Sequence, residues 1–319
     1  MRNAKPDEGV GNGSVPFRTM YRETRKPVRN VGNGPVPFRT MYRGNTEQHI
    51  GRCIQGIRNG TGPFPTGIMW EIGWMIEFVL EAGGRAAIVR ALFDSTRNHC
   101  AGYLCEREAD FVIEMDEADI AKERSHGEQA DRMDGLAVRR FSDAYLETLA
   151  LQRKLTEELF SFDTLLFHGS CVAVDGEGYL FAAKSGTGKS THVRLWREML
   201  GDRAVMVNDD KPFLRMEGGR VFAHGSPWNG KHRLGNNMCV PLKAICILER
   251  GEENEICKIS PSDALKTIFQ QTYRPMRNEN FPKYLDLIGR LASGTAFYRL
   301  KCNMDIDAAR VSYEGMKEC

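Results

Sequence analysis

From Ala183 to Ser190 the chain reads Ala-Lys-Ser-Gly-Thr-Gly-Lys-Ser, after an apolar stretch Tyr179 to Ala183 and before a helix-forming stretch Thr191 to Leu200. Two closely spaced glycines let a loop turn its backbone N–H groups inward, and the helix that follows adds partial positive charge at its first turn. The chemistry of such a loop is capture of a polyphosphate. Lys189 stands where it would reach the β and γ phosphates of ATP, and Ser190 where its hydroxyl would ligate Mg2+. The nucleotide-binding set is therefore Ser185, Gly186, Thr187, Gly188, Lys189, Ser190 and Thr191. One position departs from the usual loop: Ala183 stands in place of its first glycine.

Downstream, the short apolar run Arg203 to Val207 leads into Asn208-Asp209-Asp210. A strand that ends in carboxylates beside a phosphate loop can hold the metal directly or through water. Consecutive strand residues point to opposite faces, so one Asp would face the metal and the other a substrate hydroxyl. The alternative is a solvated Asp-Asp turn before Pro212. His168, in Leu-Phe-His-Gly-Ser170, precedes the hairpin that feeds the loop; an isolated His is as readily a structural hydrogen-bonding group as a catalyst. Gly225-Ser-Pro-Trp-Asn-Gly-Lys-His232 combines tight-turn residues with Trp228 as a platform and with Lys231 and Arg233 for anionic groups, the pattern of a substrate or phosphate loop. Arg274 and the run Cys302-Asn-Met-Asp305 are weaker candidates.

These residues need rigid elements beneath them. Met75 to Leu80 and Phe111 to Met115 read as strands, and Ala87 to Phe93 as either a helix or a strand. Asp116 to Glu128 reads as a charged helix with a solvated face. Asp143 to Phe160 carries Leu146, Leu149, Leu155 and Leu159 at helical spacing, with Asp143 near the expected N-cap. Short strands follow at Thr164 to Phe167, Cys171 to Val174 and Tyr179 to Ala183, with a turn at 175–178. Alternating strands and helices argue α/β.

Charge divides the chain. The 319 residues carry 44 Lys plus Arg and 42 Asp plus Glu, a net +2, yet residues 1–67 hold 11 basic and 4 acidic residues and the remainder is net negative. The same 67 residues hold 11 of the 32 Gly and 7 of the 13 Pro, a composition that does not build a core. Within them Val10 to Arg22 recurs as Val31 to Arg43 with one change, Ser14 to Pro35, which resembles a recent duplication more than a solenoid. The segment is expected to be a disordered leader, the alternative being a basic arm with interleaved aromatics. The near-neutral total gives no reason to expect nucleic acid. No stretch reaches the ~20 apolar residues a bilayer span needs, so no membrane segment is expected. No secretory signal is visible, and nine scattered Cys without a Cys-x-x-Cys pair point to reduced thiols and a cytoplasmic protein.

Phe167-His-Gly-Ser170, the hairpin, Ser185-Gly-Thr-Gly-Lys-Ser190 and Asn208-Asp-Asp210 resemble, in order and spacing, the catalytic domain of the HPr kinase/phosphorylase family, whose fold is related to PEP carboxykinase. The resemblance spans roughly residues 140–315, and residues 69–139 look like the N-terminal region of bacterial HPr kinase-like proteins. It implies three parts: a leader at 1–67, a small α+β region at 68–139 and a PEP carboxykinase-like P-loop kinase core at 140–319. It also implies ATP and Mg2+ as cofactors, His168 against the transferred phosphate, Asp209 as the base that takes a seryl proton, Asp210 as the supporting carboxylate, and a homo-oligomer. Ser190, Asp209 and Asp210 are the expected metal ligands. The family's Mg2+-ligating Glu, in an Ile-Arg-Gly-Leu-Gly context, is absent here, and Gly225 to His232 occupies its place. The expected activity is thus an ATP-dependent phosphotransferase (EC 2.7) acting on a hydroxyl, that of a Ser of a protein or peptide. The alternatives are a small-molecule kinase, a PEP carboxykinase-like enzyme or a non-catalytic nucleotide-binding regulator. No Leu-Ser-Gly-Gly-Gln or Asn-Lys-x-Asp stretch supports a transport ATPase or a small GTPase.

Overall fold

The computed structural model describes residues 75–184 and 186–317. The expected leader with its repeat, and Ser185, lie outside the described residues.

Strand β1 (Ile76–Ala82) buries Phe78, Leu80 and Ala82 on one face at period two. It turns through Gly83 and Gly84, at φ 57° and 77°, into β2 (Arg85–Ala91). Two left-handed residues match the twist of a two-residue hairpin. The ambiguous stretch at 87–93 is therefore a strand, because its apolar residues pair with β1 rather than covering a helix face. Helix α1 (Asp94–His99) leads to β3 (Phe111–Glu114), which runs parallel to β2. Helix α2 (Glu117–Met133) opens on a reciprocal Asp116/Asp119 capping box. Its face is not wholly solvated, since Glu123 and Asp131 are buried and paired with Arg153 and Arg139. Helix α3 (Asp143–Leu159) is capped by Ser142, so Asp143 falls in its first turn rather than at the cap. The fully buried Glu147 of α3 accepts the backbone N–H groups of Leu92 (2.6 Å) and Phe93 (3.2 Å) and the Thr96 hydroxyl, tying α3 to the start of α1.

A nine-stranded sheet carries the rest. Along its main path the order is β4 (Thr164–Leu166), β8 (Phe213–Glu217), β9 (Arg220–His224), β10 (Cys239–Arg250), β6 (Glu177–Ala182), β5 (Ser170–Val174) and β7 (Ala204–Asn208). Strand β12 (Ala296–Cys302) also pairs with β10, and β11 (Glu255–Ile259) pairs with β12. The start of β10 is antiparallel to β9, whereas its far half runs parallel to β6 and β12, so one long strand joins an antiparallel region to a mixed one. Helices α4 (Lys189–Leu200), α5 (Pro261–Gln271), α6 (Phe281–Gly294) and α7 (Ile306–Lys317) complete a mixed α/β fold.

Strand β6 shows why the sheet sits where it does. Leu180 and Ala182 pack into a core with α3, α5, α6 and the small sheet, while Tyr179 and Phe181 pack into a second core with α4 and α7. A strand buried on both faces is held from both sides, and the loop that leaves its end inherits that rigidity. The first core also contains Leu80 and Val89, so the change of sheet near residue 139 is not a break in the core, and the described residues belong to one compact unit.

Helix α4 is locked by one hydroxyl. Ser312 of α7 donates to the Ala309 carbonyl (3.0 Å) and accepts from the Trp196 indole N–H (2.8 Å), which leaves the His192 Nε2, 3.0 Å away, as a second donor. The His192 Nδ1 is buried without a partner. Burial lowers the His192 pKa from 6.5 to about 4. Because the folded value is depressed, the unfolded chain binds the proton first. The stability contribution is complete above pH 6.5 and is lost as pH falls from 6.5 toward 4, by on the order of 3 kcal/mol at 1.36 kcal/mol per unit. Denaturant unfolding between pH 7 and 4 is expected to fall more steeply for the wild type than for His192→Gln; parallel curves would contradict this.

Candidate active site

Strand β6 ends at Ala182 and the chain turns through Gly186 and Gly188, at φ 78° and 121°, into α4 at Lys189. A side chain at these φ values would be strained, although a Cβ on either glycine would meet open space. No side chain caps α4, and its first N–H groups remain available to an anion. Thr187 N–H closes on the Lys184 carbonyl (3.1 Å). Ser190 is exposed at the helix start and Thr191 is half-buried. Lys189 Nζ folds back onto the Ala183 carbonyl (3.0 Å). Burial lowers its pKa, and the Asp210 charge opposes that shift.

The strand next to β6 is β5, so β7, which leads to the acidic pair, lies one strand further out than expected. The pair also does not alternate along a strand. Strand β7 stops at Asn208, whose buried Oδ1 accepts the N–H groups of Asp210 (2.8 Å) and Lys211 (2.5 Å) and bends the chain. Its Nδ2 donates to the Ser226 carbonyl (3.0 Å), Ser226 Oγ (3.2 Å) and Asn229 Oδ1 (3.2 Å). The two carboxylates diverge from this bend.

Asp210 faces the phosphate loop. Its Oδ1 lies 3.4 Å from His168 Nε2 and its Oδ2 3.4 Å from Lys211 Nζ. The segment Phe167 to Ser170 is zipped against it: Phe167 N–H binds the Pro212 carbonyl (3.0 Å), Gly169 N–H the Asp210 carbonyl (2.9 Å), and Ser170 Oγ the Asp209 carbonyl (2.9 Å). Burial lowers the His168 pKa, its hydrogen bond with Asp210 opposes this, and the Lys189 charge adds to the lowering. His168 is therefore placed among charges, on the phosphate side. Asp209 faces the other way, into the Gly225 to Gly235 loop. Its Oδ1 accepts Gly230 N–H (2.7 Å), and the Leu234 N–H also points at the carboxylate. Burial nevertheless raises the Asp209 pKa above the ordinary 3.8, with the like charge of Asp210 adding to the rise.

The loop candidates separate. Trp228 is no open platform: it is buried, its Nε1 donates to the Thr148 carbonyl (3.0 Å), and its ring packs edge-on against Phe213. It anchors the loop to α3 from beneath. Lys231 and Arg233 are exposed on that loop, and the Arg233 charge acts on His99. Arg274 is exposed beyond α5. Its charge acts on Tyr284, and the segment just before it is joined to the site, since the Gln271 carbonyl accepts His168 N–H (2.6 Å).

Three residues escaped sequence reasoning. Arg250, at the end of β10, donates from Nη2 to the Gly186 carbonyl (2.7 Å) and braces the loop. Its neighbour in space depends on β10 lying beside β6, which no local pattern announces. Lys211 is a buried lysine beside Asp210, and its position directly after the acidic pair was the available signal. Asn208 was visible as part of the motif, but its role as the bend was not.

A family model described as SynChlorMet cassette protein ScmC matches residues 139–280. That span holds His168, the phosphate loop, the acidic pair, the Gly225 to Gly235 loop and Arg274. No curated relative matches the chain. Among solved structures the chain is similar to the HPr(Ser) kinase/phosphatase from Coxiella burnetii at 14% identity, covering 40% of this chain and 96% of that one with a TM-score of 0.24. A superposition that loose establishes no shared arrangement. Among the described residues no helix is long and apolar enough to cross a membrane.

Asn208→Ala removes the acceptor of two buried N–H groups and the donor to three oxygens. It is expected to cost about 2–4 kcal/mol in urea unfolding, whereas a loss under about 1 kcal/mol would show that the bend holds without it.

Proposed function

We propose that this protein is an ATP- and Mg2+-dependent phosphotransferase with a PEP carboxykinase-like P-loop core, acting on a hydroxyl, that of a Ser in a protein or peptide. The observation that carries the reading is the meeting of Lys189, His168 and Asp210 at the end of a doubly buried strand, with Asp209 beside them and turned into the Gly225 to Gly235 loop.

The residues fit the cofactors. The uncapped start of α4, with the backbone turned through Gly186 and Gly188 and with Thr187, Ser190 and Thr191 beside it, suits a polyphosphate. Among the described residues no cluster of three or more His, Cys, Asp or Glu would hold a metal alone. That suits Mg2+, which is ordinarily held by one or two carboxylates together with nucleotide phosphates. Ser190 and Asp210 are the residues to hold it here. Bound ATP supplies the phosphoryl group, and Mg2+ neutralises charge on its oxygens.

Each side chain then has a task. Asp209, a carboxylate made more basic by burial, accepts the proton of the acceptor hydroxyl. Lys189 and Lys211 concentrate positive charge in a site shielded from water, where charge stabilisation is strongest. His168 is held beside the loop by Asp210, toward which its Nε2 points. Arg250 braces the loop through the Gly186 carbonyl. The exposed Lys231, Arg233 and Arg274 are left for contacts with a macromolecular acceptor.

Two variants test this. Lys189→Ala is expected to weaken Mg2+-ATP binding by calorimetry at least about tenfold. Asp209→Asn should keep ATP affinity while transfer of the γ-phosphate to acceptors in a cell extract falls by about 10²–10⁴. Full transfer by Asp209→Asn would remove the base assignment, and normal ATP binding by Lys189→Ala would remove the loop assignment.

A further inference from the structure

Lys231, His232 and Arg233 are three consecutive basic residues in the loop that engages Asp209, and all three are exposed. Their backbone is tied to that carboxylate. Gly230 gives its N–H to Asp209 Oδ1 (2.7 Å), and its carbonyl accepts Arg233 N–H (3.1 Å), which closes a turn over residues 230–233. Such a turn brings its first and fourth Cα atoms within about 7 Å, so Arg233 is folded back beside the residue that touches Asp209. Arg233 takes φ 50°, a left-handed backbone that a non-glycine residue adopts only where its surroundings impose it.

The turn is mounted rigidly. Asn229, just before it, accepts Asn208 Nδ2 (3.2 Å), and Trp228 anchors the loop on the Thr148 carbonyl. Gly235 makes room for Asn229, whose Oδ1 would stand 1.9 Å from a Cβ at that position. No counter-charge is mounted with it. Exposed arginines elsewhere hold carboxylates, Arg203 that of Asp175, Arg277 that of Glu158 and Arg310 that of Asp307. Among the described residues Lys231 and Arg233 hold none, although the chain beyond residue 67 is net negative. They belong to the Asp209 side of the bend at Asn208, whereas Lys189 and His168 lie with Asp210. Two uncompensated cations on a fixed turn favour an anion carried by whatever reaches that carboxylate.

We infer that the 230–233 turn is the acceptor-recognition element and that the acceptor is an acidic peptide: Lys231 and Arg233 pair with Asp or Glu side chains within about three residues of the Ser whose hydroxyl meets Asp209. An extended peptide advances ~3.3–3.6 Å per residue, so three residues span about 10 Å, a distance that the turn and a long basic side chain cover together. The inference rests on the reading of Asp209 as the proton acceptor.

The probes are the peptide acetyl-Gly-Glu-Glu-Ser-Glu-Glu-Gly-amide and its counterpart with Gln for every Glu. Each is also made with Ala for Ser, so that binding is read without transfer. With the full-length protein and Mg2+-ATP at low salt, kcat/KM for phosphoryl transfer is expected to favour the Glu peptide on the order of tenfold, the sum of two exposed ion pairs. Added salt should shrink that preference. The double variant Lys231→Gln/Arg233→Gln should lose most of it while ATP affinity by calorimetry stays constant, and Lys231→Glu/Arg233→Glu should turn it toward a peptide with Lys for every Glu. Equal transfer to the Glu and Gln peptides by the wild type, or a preference that the Gln double variant keeps, overturns the inference. So does a matching loss of ATP affinity, which gives the turn to the nucleotide, or tighter binding of an oligothymidylate than of the Glu peptide through the same two residues. Binding of the Ala-for-Ser Glu peptide that depends on Lys231 and Arg233, with no transfer to either Ser peptide, supports the surface and overturns the phosphotransferase reading alone; neither binding nor transfer overturns both.

Discussion

A single buried amide decides how the acidic pair is used. Left as a continuous strand, Asp209 and Asp210 would point to opposite faces of an edge strand, one of them away from the loop. Asn208 ends the strand by accepting two consecutive N–H groups, and its amide N–H groups fasten the bend to the Gly225 loop through Ser226 and Asn229. The two carboxylates then serve two neighbouring compartments. Asp210 lies with Lys189, Lys211 and His168, and Asp209 lies with the backbone of the Gly225 to Gly235 loop.

The electrostatics follow from that division. Two lysines and one carboxylate share the phosphate side, with a His that burial keeps toward its neutral form. The excess of positive charge is local and buried, where attraction for an anion is least screened. On the other side a lone buried carboxylate is pushed toward the protonated form and is held as an anion by backbone donors. Opposed environments for adjacent acids are the usual means of giving one a structural task and the other a proton-transfer task.

Much of this was legible in the sequence. The glycine-rich loop, its flanking strand and helix, the acidic pair and the hairpin before the loop are contiguous signals, each set by residues near one another in the chain. What stayed hidden depends on residues distant in the chain. Trp228 reads as an exposed platform until α3 is placed beneath it, and Arg250 has no meaning until β10 lies next to β6. The strand at 85–91 was ambiguous because a short apolar run carries no period, and only pairing with β1 decides it.

The central claim is that the uncapped start of α4 receives a nucleotide triphosphate whose terminal phosphate lies on the Asp210 side. A crystal structure with Mg2+ and a non-hydrolysable ATP analogue tests it most directly. The account predicts phosphate oxygens on the N–H groups of Gly186 to Ser190, Lys189 released from the Ala183 carbonyl onto the terminal phosphates, and the metal between Ser190 and Asp210. A nucleotide bound elsewhere, or Lys189 still on Ala183 with no nucleotide at the start of α4, would contradict it.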